Sequence, residues 1–188
     1  SKTLSYVISA VSYPLPQDRW GFMPESLQLF FKTDSSTVID PKNSALILPG
    51  KSCLLRYGVE NSNNQSFIAC FAYYYAYKHN LDSVPTIDEM KKIFIESINL
   101  DMFIQYHNGN LVAIFRPKIV EEDGYDLTKY TESDFYKTIE LGDETQKEYL
   151  EDTIASYENF QNFIQDDTSS IDHTYMWDFF CNRNPKLL

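Results

Sequence analysis

Residues 61–70 read Asn-Ser-Asn-Asn-Gln-Ser-Phe-Ile-Ala-Cys, six polar residues that run straight into the apolar stretch FIACFAYYYAY at 67–77. The polar half predicts a loop. The apolar half predicts a helix from about 65 to 79, hydrophobic nearly all round and therefore expected to be the central, buried helix of the fold. The residue at the junction, Ser66, has two readings. A hydroxyl at a helix start satisfies one of the free backbone N–H groups, and removing such a cap costs about 1 kcal/mol. A helix N-terminus also lowers the pKa of a thiol and steadies a developing anion, which makes it a seat for a nucleophile.

The composition bounds the answer. A chain of 188 residues predicts one domain, long enough to bury a sizeable core. Its aromatics are 14 Tyr and 13 Phe against 2 Trp, with only 6 Gly. The net charge is -11, from 16 basic and 27 acidic residues without a basic run, so direct nucleic-acid binding is not expected. Cys53, Cys70 and Cys181 form no CxxC and no Cys/His cluster, and read as reduced thiols. No apolar run reaches the ~20 residues of a membrane span, and the first residues do not read as a signal peptide, so no membrane association is expected. No GxxxxGK[ST], GxGxxG, HExxH or EF-hand pattern occurs, so neither cofactor nor metal is expected. The start at Ser1 and the end at PKLL read as the limits of a piece of a longer protein.

Along the chain, LSYVISAVSY (4–13) alternates loosely and predicts a strand. Pro24 predicts the first turn of a short helix through ESLQLFF. Residues 33–44 read as a loop, and Pro49-Gly50 as a turn between two short apolar runs. Thr86-Ile87-Asp88-Glu89 is a capping box, opening a helix with Ile87, Met90, Phe94 and Ile98 on one stripe. At 101–117, Asn108-Gly109 between apolar runs signals a hairpin, yet MFIQY and LVAIF also suit helices. Residues 118–150 read as an acidic, variable insertion. A long amphipathic helix follows at 144–167, with Tyr149, Ile154, Tyr157, Phe160 and Ile164 on its apolar stripe. An aromatic helix stopped by Asn184-Pro185 closes the chain. The class is α+β, mostly α-helical.

Other candidate groups weigh less than Ser66. Cys70 lies one turn further on, where the helix wall is expected to bury it as an inert small hydrophobe. Cys53 and Cys181 read as core. His79 suits the C-terminus of the helix it ends. His107, beside Asn108-Gly109, reads as solvent-exposed, and His173 follows Asp172 near a helix start. None has an orienting Asn or Asp at a telling spacing, so no triad is supported. Cys70, His107 and His173 are weak candidates beside Ser66, which the resemblance given next makes a vestigial nucleophile position. Glu121-Glu122-Asp123 and Asp166-Asp167 read as solvated. Tyr73-Tyr74-Tyr75, Trp177, Phe179 and Phe180 read mostly as core, with some left for a protein-binding patch.

The order Gly58, polar loop, Ser66-Phe67-Ile68 and then a long helix resembles the nucleophile segment of OTU-type cysteine proteases, and more broadly of papain-type thiol hydrolases. That resemblance implies a Cys where Ser66 stands, and so a pseudoenzyme on a degenerate thiol-protease frame. A wider resemblance rests on RWGFMPESLQLFF (19–31), LLRYGVENSNNQSFIACFA (54–72), TIDEMKKIFIESINLDMFIQYHNGNLVAIF (86–115) and YMWDFFCNRNPKLL (175–188). These segments resemble a domain of very large proteins of nucleocytoplasmic large DNA viruses, of the mimivirus and asfarvirus type, among them relatives of the poxvirus early transcription factor large subunit. The resemblance favours helix over hairpin at 100–115. It implies an interaction or scaffold domain with a protein partner, either viral transcription or virion proteins or a ubiquitin-like protein. The implied setting is the viral factory in the host cytoplasm, or the virion. An active hydrolase of ubiquitin-like or polyprotein substrates and a virion structural component stand as alternatives. An Asn-His-Tyr-like segment of that family, a counterpart of a protease histidine, is missing here.

Overall fold

The computed structural model describes residues 6–118, 125–180 and 187. The chain is α+β, with two small antiparallel sheets beside its helices. It divides into two compact units, Ser1–Ser66 and Phe67–Leu188.

The first unit holds β1 (Trp20–Phe22), α1 (Glu25–Phe30), β2 (Ile39–Asp40), β3 (Asn43–Ile47) and β4 (Leu55–Tyr57). β1 pairs with β4, setting Trp20 opposite Tyr57 with their rings 4.6 Å apart, and β2 pairs with β3. The segment read as loop at 33–44 therefore contains a single turn of 3-10 helix (35–37) and the start of a hairpin. The expected strand at 4–13 is corrected: its described part makes one isolated bridge, Ile8 to Gly21. Three of the carbonyls after Ile8 are claimed by a side chain instead of a ladder. The Arg56 guanidinium donates to the carbonyls of Ser9 (3.2 Å), Ala10 (3.3 Å) and Ser12 (3.2 Å), while its Nε donates to that of Phe22 (2.8 Å). Val7, Leu15, Phe22, Met23 and Val38 form the small core. Pro24 precedes α1 as expected, yet α1 buries none of its residues.

The second unit takes up helix α2 (Ser66–Lys78) from Phe67 and continues through α3 (Ile87–Ser97), α4 (Leu100–Gln105), α5 (Leu111–Ile114), α6 (Asp134–Lys137), α7 (Glu144–Gln165) and α8 (His173–Phe180). The central buried helix is α7, not α2. Leu150, Ile154, Phe160 and Ile164 of α7 are fully enclosed, and α7 packs on α3, α4 and α5. Two of its buried hydroxyls are satisfied within the helix: Thr153 donates to the Tyr149 carbonyl and Ser156 to that of Asp152, each at 2.8 Å. That local satisfaction lets the buried face run wider than its apolar stripe. Tyr149, expected on the stripe, is half exposed, and Leu150 takes that place.

α2 buries Ile68, Ala69, Phe71, Ala72 and Ala76 and exposes Cys70, Tyr73, Tyr74 and Tyr77. Its exposed face is aromatic rather than charged, which is why hydropathy alone read it as enclosed. The capping box of α3 is present: Thr86 Oγ1 accepts from the Glu89 N–H (3.2 Å) and Glu89 Oε2 from the Thr86 N–H (2.9 Å). Ile87, Met90, Phe94 and Ile98 are all buried, as expected. Residues 100–114 are helical, not a hairpin. His107, Asn108 and Gly109 take left-handed φ values of 52°, 55° and 83° and separate α4 from α5. Asn-Gly supplies the positive φ that a hairpin turn would use, and here it breaks a helix instead. Phe94, Tyr106 and Phe160 each lie within 6.0 Å of Phe179, ring to ring, so the aromatic load of the sequence closes this core. The readings of Cys181, of Asn184-Pro185 and of Glu121-Glu122-Asp123 fall outside the described residues.

Candidate functional site

The loop that precedes α2 is built by hydroxyls. Ser62 Oγ accepts from the Gln65 N–H (3.0 Å) and from the Asn64 N–H (3.4 Å), and donates to Asn64 Oδ1 (3.0 Å). Ser62 is thus the capping side chain, closing a turn at 63–65 that leads into the helix. The capping role expected of Ser66 is corrected accordingly. Ser66 Oγ donates to the Ser62 carbonyl (2.5 Å) and accepts the Ser62 N–H (3.0 Å). Its proton is held by a carbonyl oxygen, which cannot take it up as a base does. A serine nucleophile needs an imidazole or amine at that position.

The other candidates are dispersed. Cys70 is exposed on α2, not walled in as expected, and partial burial of its sulfur still raises its thiol pKa. Desolvation likewise raises Cys53, which is half-buried. Both shifts lower the thiolate fraction at neutral pH, the reverse of what an activated thiol requires. His79 follows α2. Its ring lies 4.3 Å from that of Tyr75, and its Nε2 donates to the Leu187 carbonyl at 3.3 Å. His107 is half-buried rather than exposed, with its backbone N–H donating to Asp178 Oδ2 at 2.5 Å. His173 opens α8 as an exposed residue, its ring 6.4 Å from that of Phe67. The Thr174 side chain and its N–H (2.7 Å) both hydrogen-bond to Asp172 and hold its carboxyl below the usual range.

Three arrangements went unread in the sequence. The first is a groove of about 400 Å³ lined by Tyr73, Ala76, Tyr77, Asn80, Leu81 and Val84. Tyr spacing along α2 is the signal that marks it, since 73 and 77 stand one turn apart. The second is Lys91, buried on α3 beside the apolar stripe. Its Nζ lies 2.6 Å from Oδ1 of Asp167, an aspartate rightly read as solvated. They border a groove of about 540 Å³ with Asp88, Lys92, Ile95, Glu96 and Gln165. The third is Asp101, whose carboxylate accepts from Ser133 Oγ (2.7 Å), the Asp134 N–H (3.0 Å) and the Phe135 N–H (2.9 Å). Nothing local in sequence announces either of the last two, because the partners lie 76 and 32 positions apart.

Among the described residues, no group of three or more His, Cys, Asp or Glu is placed to hold a metal ion. None of the described helices is long and apolar enough to cross a membrane. No protein-family model, curated protein or solved structure matches this chain.

Proposed function

We propose that this chain is a protein-interaction module of a larger viral protein, that it is catalytically inactive, and that the tyrosine face of α2 is its binding surface. One observation carries the proposal. Tyr73, Tyr74 and Tyr77 are 39%, 47% and 79% exposed along one helix, and Leu81 and Val84 extend that face into a groove. Tyrosine brings a large, rigid contact area with one polar tip and loses little rotamer freedom on binding, which is why it concentrates at interfaces. In this reading the 61–66 loop and α2 are the remnant of an OTU- or papain-like nucleophile segment. The hydroxyl of Ser66 serves its own backbone, and neither described cysteine is activated. The viral setting and the partner class, a viral transcription or virion protein or a ubiquitin-like protein, rest on the sequence resemblance of residues 19–31, 54–72, 86–115 and 175–188.

The test has two arms. A photo-crosslinking residue placed at Tyr77, and as a control at Lys137, is exposed to ubiquitin and to extracts of virus-infected cells. A discrete adduct from position 77, lost on Tyr73→Ala, supports the proposal, and equal labelling from both positions overturns it. Ubiquitin-derived and simple ester substrates are then incubated with the chain. Turnover that Ser66→Ala abolishes would overturn the inactive reading.

A further inference from the structure

We infer that residues 126–139 form a strap, latched onto the helical core of the second unit by two carboxylates, that opens as one piece without unfolding what lies beneath. The strap contains a 3-10 turn (Leu127–Tyr130) and α6, and neither buries a single residue. Apolar burial therefore does little to hold it. What holds it is polar and placed at two points. At one, Asp101 of α4 receives the Ser133 hydroxyl and the N–H groups of Asp134 and Phe135, acting as a cap for α6 from another helix. At the other, the Tyr130 hydroxyl donates to Glu158 Oε1 of α7 at 2.8 Å.

The strap also has an interior of its own. Asp126 accepts from the Thr128 N–H and hydroxyl, and the Ser133 N–H donates to the Tyr130 carbonyl at 2.9 Å. Ser133 Oγ accepts from the Tyr136 N–H at 3.4 Å, Lys137 Nζ donates to the Glu132 carbonyl, and the Ile139 N–H to that of Tyr136. None of these bonds reaches the core, so all survive release of the two hooks. A segment with few buried contacts, tied at two points, belongs to the low-stability end of a structure and opens locally. Opening lifts the ring of Tyr130 from that of Tyr157 (6.0 Å) and that of Phe135 from Tyr149 (5.6 Å). The aromatic side of α7 that the strap covers is then uncovered. Ser133 is the sensitive point: a negative charge on its oxygen stands against Asp101, between Glu132 and Asp134.

Amide hydrogen exchange on the whole chain decides the matter, comparing wild type with Asp101→Asn, Ser133→Glu and Tyr130→Phe. Asp101→Asn presents an NH2 group to donors that need an acceptor, and Ser133→Glu repels the hook. Each is expected to speed exchange across 127–139 at least tenfold while α3 and α7 stay within twofold of wild type. Asp101→Asn with Tyr130→Phe is expected to speed exchange across the strap further than either change alone, most of all at the Asp134 and Phe135 amides, with the same protection in α7. The inference fails if the single variants leave the strap within twofold of wild type. It fails equally if α3, α4 and α7 lose protection in step with the strap, which would make the segment part of one cooperative core.

Discussion

Gly58→Ala is the substitution whose outcome the structure dictates most directly. A Cβ at residue 58 would stand 1.9 Å from the Pro16 carbonyl oxygen and 2.8 Å from its carbon, with Leu15 Cβ at 3.3 Å. Those first two atoms are backbone, so no side-chain rotation relieves them. Nor is residue 58 free to retreat: its N–H donates to the Arg19 carbonyl (2.8 Å) and its own carbonyl accepts the Asp18 N–H (2.9 Å). Moving far enough for the new methyl breaks both bonds, at about 0.5–1.5 kcal/mol each. Residual overpacking adds about 1–3 kcal/mol. The sum is about 2–6 kcal/mol, concentrated in a unit with a small core. Trp20 reports on it, since its ring contacts Tyr57 next to Gly58 in the chain. With the exposed Trp177 replaced by Phe to silence the other indole, urea unfolding is followed by Trp20 fluorescence. For a slope of about 1–2 kcal/mol/M, the midpoint falls by at least about 1 M. A midpoint within about 0.3 M of the parent would show that the 16–19 and 58 segments are not pinned together, and the reasoning would fail. The glycine that resembles part of a protease loop is thus required here by a close backbone approach.

Other outcomes follow from the same geometry. Ser62→Ala removes the true cap of the 63–65 turn and should cost about 1 kcal/mol by chemical denaturation, whereas Ser66→Cys should create no turnover of ubiquitin-type substrates. Asp167→Ala removes one acceptor of the buried Lys91 ammonium. Because Asp167 is 81% exposed, water takes up part of the loss, and about 1 kcal/mol is expected; Lys91→Met should stay within about 1 kcal/mol of wild type. The Asp101 carboxyl has a pH signature. Partial burial pushes its pKa up, but the bonds from Phe135, Ser133 and Asp134 and the charge of Lys137 outweigh this and leave it below its ordinary value. A depressed folded pKa means that its contribution is complete above the unfolded value and is lost as pH falls through the folded one. The amide NMR shift of Phe135 should therefore carry an Asp101 titration only below the ordinary aspartate range, a step that Asp101→Asn removes.

How far the sequence could be read depended on whether the deciding contacts were local. The α3 capping box needs residues three apart, and it formed as written. The long stripe of α7 needs nothing beyond its own period, and it set the core. The N-terminal segment failed because its carbonyls go to Arg56, more than 40 positions away, and no period in LSYVISAVSY encodes a guanidinium. Ser66 was half legible: the loop-to-helix junction falls where the residues put it. Which of two serines four apart takes the N–H groups at this junction is decided by the turn at 63–65, whose Asn64 and Gln65 N–H groups go to Ser62.

The misreading of α2 has a single physical source. Tyr and Phe were weighed together as apolar, yet a buried phenol must find a partner for its hydroxyl and a buried phenyl need not. In the second unit most of the fully enclosed rings are phenyls, with Tyr106 enclosed among them. Phe94, Phe103, Phe160 and Phe179 are fully enclosed, and Tyr157, which joins them, sends its hydroxyl to the Ile98 carbonyl at 3.1 Å. That phenol is pushed up to about 12 by desolvation, as a neutral donor held in the core must be. Tyr73, Tyr74 and Tyr77 stand on the exposed face, where water reaches a phenol hydroxyl. A run of tyrosines entering a helix therefore reads best as a surface whose apolar area awaits another molecule. Along FIACFAYYYAY, Phe71 turns inward with Ile68, Ala69, Ala72 and Ala76 while Tyr73, Tyr74 and Tyr77 turn outward, and this division is what turned a supposed core helix into a candidate interface.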